Sequence, residues 1–482
     1  MHQDLSTLDA TAQAAMVRRG DVSPLELVDA AIARIERLNP QLNAVITPLF
    51  DKARADARSG NLPNGPFRGV PFLLKDIGAH SAGDPFHAGM QVLRDRRWSE
   101  SDDTHLAAKF RAAGFIFLGK TNTPELGLLP TTEPAAYGAT RNPWDPTRSA
   151  GGSSGGAAAA VASGMVPVAH ATDGGGSIRI PASHCGLVGL KTSRGRVSLG
   201  PDVSERWGGF AVENSVTRSV RDTAGILDAI AGYVPGDPYT APAPARPFSA
   251  EVGAPPGCLR VGVLTSAPNG VPVDRECAAA AHSAARRLAS LGHRIDDAYP
   301  TALTDSELTR SFGTVLACAT ARALDAWSEK TGAPIEPNGV EPMTWAFAEL
   351  GRQASARDYL RAVQFVQRQT RRIVEWWAQG FDLLLTPTTA EPPPVLGSFE
   401  SSSDNPLAGL FRAAPFSTFT APFNMTGQPA ISLPLHWTEA GLPIGVHLIA
   451  AYGREDVLIR VASQLEQAQP WNQRRPTIHA ER

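Results

Sequence analysis

Two segments of this chain set serines among glycines: Ser149-Ala-Gly-Gly-Ser-Ser-Gly-Gly156 and Asp173-Gly-Gly-Gly-Ser-Ile-Arg-Ile-Pro181. Glycine lets main-chain N–H groups come close to a ligand, at a conformational cost of roughly 0.5–1 kcal/mol per residue. Successive N–H groups in such a turn form an anion-binding concavity. Beside a serine, that concavity is an oxyanion hole, and one such donor is worth about 2.7–4 kcal/mol. Upstream, Lys75 ends the apolar run Val70-Pro-Phe-Leu-Leu74. A lysine acts as a base only when neutral, which near pH 7 requires a drop of about three units from its usual value, or about 4 kcal/mol. Burial at the end of that run would supply the drop. Two serines, a glycine cradle and a desolvated lysine are the parts of a metal-free acyl-transfer site.

Each part has a plainer reading. Gly151–Gly156 also fits a flexible linker or a phosphate cradle at a helix start, although the Gly-Lys-Ser/Thr ending of a P-loop is missing. It satisfies the G-x-S-x-G pattern around Ser153, but the preceding Asn142-Pro-Trp-Asp-Pro-Thr-Arg148 is unsuited to the central strand that a nucleophile elbow needs. Lys75 could instead snorkel from a strand end or pair with Asp76. His170 and His184 flank the second glycine segment. They read as core or supporting histidines, and a Ser–His–Asp hydrolase would need one of them.

Taken together, Gly69-Val-Pro-Phe-Leu-Leu-Lys-Asp76, Gly151-Gly-Ser-Ser-Gly-Gly156 and Asp173-Gly-Gly-Gly-Ser-Ile-Arg-Ile-Pro181 resemble the amidase signature family in order and spacing. Gly119-Lys-Thr-Asn-Thr-Pro-Glu125, Tyr137-Gly-Ala-Thr-Arg-Asn-Pro-Trp144 and the stretch Pro422–Pro434 extend the likeness over nearly the whole length. Within the family the chain is similar to cyclic-amide hydrolases, aryl acylamidases and urethanases. The resemblance implies a Ser–cis-Ser–Lys triad with Lys75 as base, Ser153 as the bridging serine and Ser177 as nucleophile. It places the oxyanion donors on the backbone of Gly174, Gly175, Gly176 and Ser177, and supporting roles on Ser154, Asp173 and Arg179. Gly174 departs from the family pattern, and the extra glycine is expected to loosen the loop. The resemblance also implies a mixed central β-sheet covered by helices on both faces, with no cofactor and no metal.

The elements that would position these residues alternate along the chain. Strands are predicted at Val70–Leu74, Phe115–Leu118, Val166–Ala169, Leu259–Leu264, Leu383–Thr386, Ala430–Leu435 and Gly445–Ile449. Helices are predicted at Thr104–Ala113, Ala157–Ser163, Val220–Ala231, Asp274–Leu291, Asp305–Ser328, Ala356–Ala378 and Glu455–Leu465. Short apolar strands between helices argue for an α/β architecture with a covered sheet. Residues 1–60 read as a helical segment packed on the core. There the capping box Ser23-Pro-Leu-Glu26 starts a helix that Asn39-Pro40 should stop. Residues 61–482 read as one domain, crossed at 234–257 by a Pro-rich surface connection.

The 45 basic and 47 acidic residues balance to a net charge of −2, which gives nucleic acid or an anionic membrane nothing to bind. No apolar run reaches the length of a membrane span, and the first residues lack the pattern of a signal peptide, so a cytoplasmic protein is expected. The four cysteines lie far apart and read as reduced core thiols. No His-Glu-x-x-His or comparable cluster suggests a metal.

The expected function is hydrolysis of a small uncharged amide, cyclic amide or carbamate through an acyl-enzyme. Two alternatives stand beside it: a glutamine-amidase subunit of an amidotransferase, and a non-catalytic anion-binding protein. A homodimer is an open question. The pocket is expected from 305–330 and 395–425, where Phe312, Val315, Leu316, Phe411, Phe416 and Phe419 recur and charges are sparse.

Overall fold

Strand-forming segments from across the chain meet in one mixed sheet of eleven strands in the computed structural model, which describes residues 5–481. They are β1 (Val45–Pro48), β2 (Pro71–Lys75), β3 (Ile116–Thr121), β4 (Val168–Asp173), β5 (Val188–Lys191), β6 (Val212–Thr217), β7 (Arg260–Val263), β8 (Arg294–Asp296), β9 (Leu383–Pro387), β10 (Ala430–Trp437) and β11 (Pro443–Ala450). Their order is β1-β3-β2-β4-β6-β5-β10-β11-β9-β7-β8. β2 runs parallel to β3 and β4, and β7 runs parallel to β8 and β9; the remaining neighbours are antiparallel.

Alternation along β2 explains how the sheet separates two cores. Phe72 and Leu74 pack with the helices His105–Ala112, Val220–Ile230 and Glu455–Ala468. Leu73 faces the other way and packs with Pro24–Leu42 and Gly155–Ala162. The same parity sends Lys75 after Leu73, toward the helix that follows the first glycine segment. A third apolar cluster joins the helices Glu307–Thr331 and Ala356–Ala378 to the sheet through Leu384, Ala430 and Ile449.

The seven predicted strands are present within a few residues. The sequence missed β1, β5, β6 and β8. β6 reads Val-Glu-Asn-Ser-Val-Thr, so its polar residues hide the strand signal, yet all six positions are buried. The partners are tertiary: Asn214 donates to the Leu190 carbonyl at 3.0 Å. β8 is a three-residue edge strand with no apolar run.

Two expectations for the first sixty residues are corrected. The segment is not wholly helical, because β1 joins the sheet beside β3 with Val45 opposite Thr121. Asn39-Pro40 does not stop the long helix, which runs through Pro40 to Leu42. Burial of Leu38 and Leu42 holds this last turn in place. The Asn39 side chain accepts the N–H groups of Ala44 and Val45, both at 2.8 Å, and so secures the exit. The cysteines also need correction. All four are free, but only Cys185 and Cys277 are buried, and Cys258 is exposed. Residues 234–257 run from the helix Val220–Ile230 to β7 with no strand and only a short turn of 3₁₀ helix at Phe248–Glu251.

Candidate active site

Lys75 closes β2 and has no solvent exposure. Its Nζ lies 2.6 Å from Ser153 Oγ, 2.9 Å from Ser154 Oγ and 2.8 Å from Thr172 Oγ1. Burial lowers its pKa to about 7, against the raising pull of the Glu213 and Asp173 carboxylates. The snorkelling and Asp76-pairing alternatives fall on this geometry. Asp76 points to backbone instead, accepting the N–H groups of His87 at 3.0 Å and Gly89 at 3.3 Å.

Ser153 and Ser154 sit immediately before the helix Gly155–Ala162, and the Gly152–Ser153 peptide is cis. A Cβ at Gly152 would lie 2.3 Å from the Thr131 carbonyl oxygen, so only glycine lets the turn pass there. Ser154 joins the two glycine segments: its N–H donates to the Ser177 carbonyl at 3.3 Å, and its Oγ accepts the Thr172 N–H at 3.3 Å.

The second segment follows β4 directly. The backbone N–H groups of Gly174, Gly175, Gly176 and Ser177 take no acceptor among the described residues. That leaves four donors beside the Ser177 hydroxyl, an arrangement suited to a developing oxyanion. A buried ion pair fixes the loop. Arg179 Nη2 lies 2.8 Å from Asp173 Oδ1, with neither side chain exposed. Asp173 also accepts the Ile178 N–H at 3.1 Å, and Arg179 reaches the Thr420 carbonyl and Asn424 Oδ1 at 3.0 and 2.7 Å. Burial alone would raise the Asp173 carboxyl, but the Arg179 guanidinium overrides it and holds it at about 2.

The departure at Gly174, expected to loosen the loop, has a packing reason. A Cβ there would lie 2.3 Å from Cζ3 of Trp207. The indole ring fills the space that a side chain would take.

Neither flanking histidine reaches a serine hydroxyl among the described residues. His170 Nδ1 accepts the Lys75 backbone N–H at 3.3 Å, so Nε2 carries the proton toward Glu213 Oε2 at 3.0 Å. His184 is buried edge-on to Phe416, and burial lowers it to about 3. No group of three or more His, Cys, Asp or Glu side chains among the described residues converges as metal ligands.

A cavity of about 430 Å³ opens onto Ser153, Ser177 and Gly174. Its apolar wall includes Phe86, Leu126, Leu128, Trp207 and Trp327. The helix Glu307–Thr331 contributes Ala319, Thr320 and Ala323, as expected for 305–330. The named phenylalanines are a different matter. Residues 395–425 line no part of this cavity: Phe416 and Phe419 are core, and Phe411 is 73% exposed on the surface. Phe312, Val315 and Leu316 are not in the lining: Val315 and Leu316 belong to the core, and Phe312, stacked on Phe210 at 5.7 Å, reaches to 3.4 Å from where a Cβ of Gly175 would lie. The lining also carries charge: Glu205, Arg206, Glu213 and Arg322. The sequence missed Trp207, Phe86 and Leu126 because they come from loops whose approach to Ser177 depends on tertiary packing.

The profile of the Amidase family matches residues 26–459. This chain belongs to the amidase signature family. It is 46% identical over 478 residues to the 6-aminohexanoate-cyclic-dimer hydrolase of Paenarthrobacter ureafaciens, covering 98% of this chain and 96% of that protein. The structure of a 6-aminohexanoate cyclic dimer hydrolase complexed with substrate superposes with a TM-score of 0.95 at 45% identity, over 99% of this chain and 100% of that one. A bacterial aryl acylamidase superposes with a TM-score of 0.87 at 28% identity, over 97% of both chains. This amidase therefore hydrolyses amide carbon–nitrogen bonds on a mixed sheet covered by helices on both faces. No helix among its described residues is long and apolar enough to cross a membrane.

Proposed function

We propose that this amidase cleaves small uncharged amides, cyclic amides or carbamates through a Ser177 acyl-enzyme. The observation that carries this reading is the 2.6 Å contact between Lys75 Nζ and Ser153 Oγ at a fully buried amine. A neutral amine is the acceptor that a serine relay requires. Ser177 Oγ attacks the carbonyl carbon and gives its proton to Ser153 Oγ, which passes its own proton to Lys75 Nζ. The N–H groups of 174–177 stabilise the oxyanion. The proton returns through Ser153 to the leaving nitrogen, the C–N bond breaks, and the acyl group remains on Ser177. Water then repeats the sequence on the ester, releasing the acid.

Pocket chemistry supports an uncharged substrate. Every charge in the lining already has a protein partner. Arg206 lies 3.5 Å from Glu213, Glu213 also takes His170, Arg322 pairs with Glu329, and Glu205 accepts the Tyr239 hydroxyl. The amine and carboxylate of free glutamine need fixed charged partners of their own, whereas the apolar wall suits a ring or alkyl chain. Likeness to a cyclic dimer hydrolase seen with its substrate supports the cyclic amide within this class. The working unit needs no cofactor, nucleic acid or membrane surface, and acts in the cytoplasm alone or as a homodimer.

Purified protein should be treated with a fluorophosphonate probe, then assayed on linear amides, cyclic amides, anilides, N-aryl carbamates and glutamine. A probe adduct on Ser177 with preference for the apolar amides is expected. An adduct on Ser153 or Ser154 would overturn the nucleophile. Glutamine turnover at least equal to that of an aryl amide would favour the amidotransferase-subunit reading, and absence of labelling and turnover would favour a binding protein.

A further inference from the structure

Trp207 stands on an unusual turn. Its φ is +55°, and Gly208 and Gly209 follow at +62° and +81°. Left-handed backbone is disfavoured for a bulky side chain, so packing must hold it there. On one side the ring covers Gly174, where a Cβ would meet Cζ3 at 2.3 Å and Cε3 at 2.4 Å. On the other side it packs against the cluster that contains Val315 and Leu316 of the helix Glu307–Thr331. The indole thus occupies the volume a side chain at 174 would take, one residue past β4 and three before Ser177. It also forms part of the wall of the cavity that Ser177 opens onto.

We propose that Trp207 is the specificity-determining residue of this amidase, setting the size of the group accepted beside the scissile carbonyl. The proposal rests on the reading of Ser177 as nucleophile. A partly buried ring packed on both the oxyanion loop and this apolar cluster moves only by giving up one of those contacts. The wall is therefore rigid, and its apolar face selects a group of limited bulk and no charge.

The test compares the parent with Trp207→Phe, Trp207→Ala, Gly174→Ala and the Gly174→Ala/Trp207→Ala double variant. Two p-nitroanilide or aryl-amide series serve as substrates, one running from acetyl to benzoyl acyl groups and one with increasingly bulky leaving amines. In at least one series, Trp207→Ala should raise the bulky-to-small ratio of kcat/KM tenfold or more, with Trp207→Phe between it and the parent. Gly174→Ala should lose tenfold or more, and the double variant should return to within threefold of Trp207→Ala, because removing the ring relieves the clash. Ratios within twofold of the parent in both series for a cooperatively melting Trp207→Ala, or for Trp207→Phe where Trp207→Ala does not fold, would overturn the proposal. So would full activity of Gly174→Ala. These results, obtained with a parent that a fluorophosphonate labels on Ser177, leave the nucleophile standing. A parent that is not labelled there overturns the nucleophile, and the proposal with it.

Discussion

Lys75 Nζ and Ser153 Oγ lie 2.6 Å apart where the amine has no contact with solvent. Desolvation there replaces the usual preference of lysine for its charged form with a poise near neutrality. Near pH 7 about half of the amines are therefore neutral, and a neutral one offers the hydroxyl beside it a proton acceptor.

Lys75→Ala should lower kcat by at least a thousandfold in a folded protein, since a relay that acts as a unit fails when one member is lost. The parent pH–rate profile should rise through an ionisation near 7, as the neutral amine is populated on going to higher pH. An acid limb that survives in the variant would rule Lys75 out as the base.

The same amine should shape stability. Its folded value near 7 lies below its ordinary value of 10.5. Between those limits the unfolded chain binds more protons, so this group makes stability rise with pH across that window. Its cost is complete below pH 7 and gone above 10.5. Lys75→Met should remove that slope, gaining more in Tm relative to the parent at pH 6 than at pH 9. Equal differences at the two pH values would contradict a desolvated lysine.

Arg179→Met should destabilise the protein by about 3–5 kcal/mol in urea unfolding, because it leaves the buried Asp173 carboxylate without its counter-charge. The Asp173 value is held near 2, below the ordinary 3.8. Its contribution is therefore present above about pH 4 and lost as the pH falls toward 2. A variant as stable as the parent would show that the pair does not hold the loop.

Ser154→Ala should retain turnover within about tenfold. Its hydroxyl reaches Lys75 at 2.9 Å, but Thr172 Oγ1 and Ser153 Oγ remain on the amine. Ser153→Ala should lose orders of magnitude more in kcat. Comparable losses in the two variants would mean that the serine next to the cis peptide has no distinct part.

The amino-acid sequence carried the chemistry of this site because its signals are local. Lys75 ends an apolar strand, and Ser153 and Ser177 sit in glycine segments that only close backbone approach requires. Seven strands announced themselves by apolar runs, and Ser23 and Glu26 marked a helix start in four residues. What tertiary structure alone decided is how distant segments satisfy one another. The polar β6 is a buried strand only because Glu213 and Asn214 find His170 and the Leu190 carbonyl across the sheet. Pro40 remains helical because Leu42 is buried and Asn39 caps the exit. The pocket followed the same rule. Phe416 and Phe419 look like a substrate wall in sequence but are spent on the core, whereas Trp207 reaches Gly174 from a loop with no periodicity to reveal it. Local pattern fixes what a residue can do, and the packing of segments far apart in the chain fixes what it touches.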